Sequence, residues 1–157
     1  MLFRSWRTDG VAVERLEQNT DGRVIAVLDH PDESRSLIAE LDRDALEWKI
    51  TGKLPSPFWP LPSSSGLREF YMGRNVLLAN TMSHYEVPLW LYPDEEPASV
   101  SANAVYYSDD WGSSWRRLDI AGYLGVLGFD EAHDRVFWAR GNWYDSRDLG
   151  VQAYDLN

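Results

Sequence analysis

The sequence predicts an all-β domain, and three observations carry that expectation. Its apolar residues come in many short runs cut by Gly, Pro, Asp and Asn, the punctuation of strands and turns. Long stretches with the 3.6-residue apolar period of a helix are missing. Aromatic residues are abundant, with eight Trp and eight Tyr, types that fit a pleated, half-buried surface. A chain of 157 residues suits one domain, so residues 1–157 read as a single all-β unit. At this length a folded chain buries roughly 70% of its unfolded surface, enough for a true core.

The elements follow in order. Leu2 to Arg7 reads as a short strand carrying Trp6, and Thr8-Asp9-Gly10 as a turn. Val11–Leu16 is the next strand. Asp21-Gly22 is a hairpin signal, because Asp-Gly suits positive φ. Arg23–Leu28 reads as a strand buried on both faces. Leu37–Leu41 and Leu46–Ile50 pair across Asp42-Arg43-Asp44, with a short helix over 35–46 as the alternative. Pro55–Gly66 carries four prolines and a serine run, which exclude helix and inner strand, and reads as a long connection. Arg68–Met72 and Val76–Asn80 are strands about Gly73-Arg74-Asn75. His84–Val100 reads as a long loop or insertion. Ala104–Tyr107 leads into Ser108–Trp115, a polar turn, and Arg116–Ile120 leads out. Leu124–Phe129 and Arg135–Ala139 pair across Asp130–Asp134, Asn142–Leu149 reads as a loop, and Val151–Leu156 closes the chain as a strand.

These strands fall into groups. Ser5-Trp6-Arg7, Glu47-Trp48-Lys49 and Ser114-Trp115-Arg116 each place a basic residue after Trp and precede a turn and a new strand. Three four-stranded units result: residues 11–54, 68–120, and 124–157 with residues 2–7 as the borrowed fourth strand. The expected fold is a small or partial β-propeller-like array of about three units, whose borrowed strand hides the terminal edges. Three blades are few for a ring. A homodimer forming six blades is one answer, and a β-sandwich or barrel is the alternative fold.

The turn at 108–115 has its own logic. Asp110 can accept hydrogen bonds from the turn's backbone. Gly112 can take positive φ. Ser108 and Ser114 can bond across the turn's mouth, and Trp115 can pack under it. Ser108, Asp110, Gly112, Ser114 and Trp115 together resemble the Asp-box, or BNR repeat, of sialidase-like β-propeller proteins. The resemblance covers eight residues in a single copy. It implies a fold element between the third and fourth strands of a blade, placed away from the active site.

Composition narrows the partners. The net charge of −10 argues against a nucleic-acid surface, which is basic, and permits a basic protein partner through complementary fields, with solubility alone as the other use of the acidity. No cysteine is present, which removes disulfides, thiol chemistry and Cys-ligated metal. Met1–Arg7 lacks the apolar core of a signal peptide, and no segment approaches the ~20 apolar residues of a membrane span. A cytoplasmic protein is expected, or a periplasmic or secreted one if a leader has been removed, with no membrane or nucleic-acid partner and no cofactor.

If the units are blades, the loops sort onto two faces. The turns at 21–22, 73–74, 108–115 and 131–134 share one. The long connections share the other, which gathers Phe58, Trp59, Trp90, Tyr92, Trp143 and Tyr144 with the acids Asp94, Glu95, Glu96, Asp145 and Asp148. Trp and Tyr anchor interfaces, and acids beside them suit Lys or Arg of a partner. This acidic aromatic face is the expected partner-binding site of a protein-binding module, in the manner of an inhibitor or immunity-type protein. A glycan is the alternative ligand, bound or hydrolysed, with Glu86, Asp94 and Glu95 beside Tyr85 or Tyr92 as the carboxylates and nucleophile that glycoside hydrolysis needs. Sialidases also need three clustered arginines, which the sequence does not assign. His30, His84 and His133 lack metal-ligand spacing, and the Asp109-Asp110 pair falls short of a Ca²⁺ cage. No catalytic or metal-binding residue is assigned.

Overall fold

The computed structural model describes residues 11–58, 60–61, 63–87, 99–120, 124–142 and 145–156. It is all-β: these residues form three antiparallel sheets and no helix. Among the described residues, therefore, no helix is long and apolar enough to cross a membrane.

The first sheet is a meander of β1 (Ala12–Gln18), β2 (Val24–Asp29), β3 (Leu37–Asp42) and β4 (Glu47–Lys53). The second runs β5 (Ser64–Met72), β6 (Leu77–Glu86), β7 (Ser99–Ser108) and β8 (Arg116–Arg117). The third has β9 (Leu124–Asp130), β10 (Arg135–Asn142) and β11 (Asp145–Asp155). A borrowed fourth strand at residues 2–7 lies outside the described residues. Among the described residues the sheets do not close into a ring.

Period-2 alternation builds two cores from the middle sheet. On β6, Leu77 and Ala79 face one side and Leu78 the other. Leu77 and Ala79 join Ile25, Val27, Ile38, Leu54 and Phe70 in a core between the first and second sheets. Leu78 joins Val76, Val105, Leu118, Val136 and Trp138 in a core between the second and third. The unbroken run Val76–Ala79 is apolar because both its faces are buried. The same holds for Ile25–Leu28, whose Ala26 and Leu28 pack with Leu37, Ala39, Val11 and Trp48 on the far face of the first sheet. On that face Val13, Leu16 and Ile50 are more than half exposed.

Three expectations are corrected. Ser64–Gly66 is not part of a loop but opens β5. Ser65 is the reason: its N–H donates to Ser34 O at 2.8 Å, its carbonyl accepts from Ser36 N, and its hydroxyl donates to Pro55 O at 3.0 Å. Ser83 Oγ donates to the same hydroxyl at 2.8 Å. Small polar side chains thus fill a buried seam that larger ones would not fit. His84–Glu86 and Ser99–Val100 are not loop either, since β6 and β7 stay paired to Glu86↔Ser99. Likewise β10 and β11 stay paired through Asn142↔Asp145, so the expected loop at 142–149 is mostly strand. At 35–46 the chain forms strand and turn, not the alternative helix.

Candidate functional site

The Ser108–Trp115 turn joins β7 to β8, the third and fourth strands of the second sheet. Asp110 organises it. Its Oδ1 accepts from Ser114 N and Ser108 Oγ, both at 2.8 Å, and its Oδ2 accepts from Ser114 Oγ at 2.6 Å. The Ser114 hydroxyl and amide, with Ser108 in support, hold the Asp110 carboxyl below its usual range. Buried Ser108 also accepts the Gly112 N–H at 2.8 Å. Trp111 and Gly112 both take positive φ. Trp115 Nε1 donates to Gly112 O at 3.1 Å, and its ring packs on the first core.

The turn does not hang free. It seats on the first sheet, where Thr51 Oγ1 on β4 donates to Trp111 O at 3.1 Å. A Cβ on Gly112 would sit 3.0 Å from Ile38 Cγ2, and one on Gly52 would collide with the Gly112 carbonyl oxygen. Glycine is needed at 52 because the Gly112 backbone fills the space, and at 112 because φ is 89° and the Ile38 side chain packs against it.

Beside this junction opens a cleft of about 590 Å³. The β1–β2 turn supplies Asn19, Asp21, Gly22 and Arg23; β3, β4 and their turn supply Glu40 to Arg43, Lys49 and Thr51. Arg74, Asn75 and Trp111 complete the wall from the second sheet. Arg23 lies over the Trp111 ring, 4.2 Å from its centroid, a cation–π contact. Its Nη1 also donates to Glu40 Oε1 at 2.6 Å. Lys49 Nζ donates to Asp42 Oδ2 at 2.6 Å. That bond, and the Ala45 N–H on Oδ1, lower the Asp42 carboxyl below its ordinary value; the same pair raises the Lys49 ammonium.

Arg74 ties this end of the three sheets together. Asn19 Nδ2 donates to its carbonyl at 3.0 Å, its N–H donates to Glu131 Oε1 in the β9–β10 turn, and its guanidinium lies 3.8 Å from Asp21 Oδ1. The turns at 21–22, 73–74, 108–115 and 131–134 therefore gather at one end, the end expected to be quiet. The cleft is there.

Of the expected acidic aromatic face, Trp59, Trp90, Tyr92, Asp94, Glu95, Glu96, Trp143 and Tyr144 lie outside the described residues. Phe58 is half-buried, its ring centroid 5.9 Å from that of Tyr85. Asp145 is the first residue of β11, opposite Asn142. Glu86 ends β6 opposite Ser99. The three histidines make local contacts: His30 Nδ1 accepts from Asp32 N at 3.2 Å, His84 Nδ1 meets Ser101 Oγ at 2.8 Å, and His133 Nδ1 meets Asp130 Oδ2 at 2.7 Å. Among the described residues, no three His, Asp or Glu side chains cluster as a metal site.

Sequence reading missed the cleft. Its walls come from turns far apart in the chain, and Asp21-Gly22, Asp42-Arg43-Asp44, Gly73-Arg74-Asn75 and Ser108–Trp115 carried a signal only as separate turns. Comparison with family models, curated proteins and solved structures finds no match for this chain.

Proposed function

We propose that this chain is a protein-binding module, non-catalytic, that recognises its partner through the cleft beside Trp111. One observation carries the reading: the cleft is walled by turns of two sheets, and Arg23 and Lys49 are each held in close contact with an acid. Carboxylates committed to such pairs are poorly placed as acid or base, while a preorganised rim of charges suits recognition. The Trp111 ring already carries Arg23 on one face, which leaves less of it for stacking a sugar.

The larger frame we propose is a propeller-like array of three units that resembles Asp-box proteins. Its support is the meander order within each sheet, the two cores between successive sheets, and the position of the 108–115 turn. A homodimer that extends the array is the second reading, favoured by exposed Val13, Leu16 and Ile50 at one end and Val151 on the third sheet. A concentration-independent monomer in light scattering sinks that one.

The binding reading is tested by affinity capture from lysate of the source cell. Wild-type chain is compared with Asn75→Trp, which fills the cleft, and with alanine at Trp59, Trp90 and Trp143. Loss of a captured protein with Asn75→Trp alone supports the cleft. Loss with the alanine set alone moves the site to the acidic aromatic face. A glycan array that binds the chain while the lysate yields nothing favours the carbohydrate alternative.

A further inference from the structure

The charges in the cleft do not balance, and the surplus belongs to one residue. Four cations line it, Arg23, Arg43, Lys49 and Arg74, against three acids, Asp21, Glu40 and Asp42. Each acid has a cation: Arg23 reaches Glu40 at 2.6 Å, Lys49 reaches Asp42 at 2.6 Å, and Arg74 stands 3.8 Å from Asp21. Arg43 is left over, with no ion pair among the described residues. The cleft is thus locally +1 in a chain whose net charge is −10.

Arg43 is also placed rather than loose at its base. It belongs to the β3–β4 turn, which Asp42 Oδ1 locks by accepting the Asp44 and Ala45 N–H groups at 3.1 and 3.0 Å. From there its guanidinium crosses to the β1–β2 turn. Its Nη1 lies 2.9 Å from where a Cβ of Gly22 would be. Gly22 has φ of 85°, so the residue that opens the turn also leaves the space the guanidinium occupies.

We propose that the cleft takes an acidic side chain of the partner protein, held by the guanidinium of Arg43. This rests on the cleft-binding reading and adds the chemistry of what enters. A guanidinium offers a planar fork of N–H donors that matches a carboxylate in two parallel bonds. The other cleft cations already spend their charge on neighbours, so an incoming carboxylate meets one unmatched cation. An incoming lysine would meet the same surplus as repulsion. In a chain of net charge −10, this locally positive cleft is a place where a carboxylate meets a complementary field.

The test uses the full chain, ¹⁵N-labelled, titrated with the peptide acetyl-Glu-Glu-Glu-amide, its Gln counterpart and its Lys counterpart. Saturable shifts of the Gly22 and Arg43 amides and the Trp111 indole are expected with the Glu peptide alone. Arg43→Gln weakens that binding about tenfold or more, the loss of a charge-assisted bond. Arg43→Lys restores part of it, as charge without the fork, and Arg15→Gln, an exposed arginine outside the cleft, leaves it unchanged. Dispersed spectra of the variants establish that they fold. Shifts insensitive to Arg43→Gln overturn the proposal, as does the failure of every peptide to cause a shift. Binding of the Lys peptide in place of the Glu peptide overturns it while leaving the cleft as a site, and the Asn75→Trp capture decides that site separately.

Discussion

Gly52 on β4 and Gly112 in the 108–115 turn meet backbone to backbone, so that any side chain at position 52 would strike the Gly112 carbonyl. The contact joins the first sheet to the second through two residues that share no side chain. Gly52→Ala is expected to cost about 1–3 kcal/mol, the range for an overpacked site. Ile38, fully buried and facing Gly112, is expected to lose about 2–5 kcal/mol on truncation to Ala. The two losses should be non-additive in a double-mutant cycle read by urea unfolding, because one junction bears both. Strict additivity would separate the turn from the sheet.

Ser108 is the buried end of the turn's network. Ser108→Ala leaves the Gly112 N–H without its acceptor, at a cost of about 1–3 kcal/mol. Circular dichroism melts check it. A melt unchanged within error would mean that the turn re-forms its bonds another way.

Asp110 should appear in the acid limb of stability. Its carboxyl is held below the ordinary value by Ser114 and, less, by Ser108. The stabilisation is present above the ordinary aspartate pKa and lost as pH falls through the folded one. Asp130 bonded to His133, and Asp42 bonded to Lys49, act in the same direction. Asp110→Asn should flatten the fall in unfolding midpoint between pH 5 and about 2. An unchanged slope would assign the acid limb to the other carboxylates.

Glu69 should behave in the opposite sense. It pairs with Asn80 between β5 and β6, and desolvation raises its carboxyl above the ordinary glutamate value. Asn80 offsets this in part, although its amide stops short of hydrogen-bond geometry. Stability from the protonated form is full below the ordinary pKa and lost as pH rises through the folded one. Glu69→Gln should therefore raise the midpoint at pH 7 and leave it alone at pH 3. A lower midpoint at pH 7 would mean that the ionised form is the stabilising one.

The strands were legible where the pattern was driven by burial. Ile25–Leu28 read as a two-faced strand and Val76–Ala79 as an apolar strand from their unbroken apolar runs, and the structure buries both on both sides. Legibility failed where pairing is set by distant partners. Ser64–Gly66 looks like linker because its serines carry no apolar pattern; Ser34, Ser36 and Ser83 make it a strand. His84–Glu86 failed likewise, since β7 continues to pair with it through Ser99–Ser101, where the apolar run has ended. The cleft was least legible of all. Its surplus cation is recognisable only when Glu40, Asp42 and Asp21 are each seen beside another partner, a fact of folding and not of spacing.

The contacts at position 74 divide its labour. Its amide and carbonyl, which every residue but proline offers, fasten the turn to Glu131 and to Asn19. Its side chain, 61% exposed, projects beside Asp21 at the cleft wall. Joining the sheets thus asks nothing of the residue's identity. A substitution at position 74 other than proline would reshape the cleft wall with the joint itself untouched, while positions 19 and 131 stay bound to their roles.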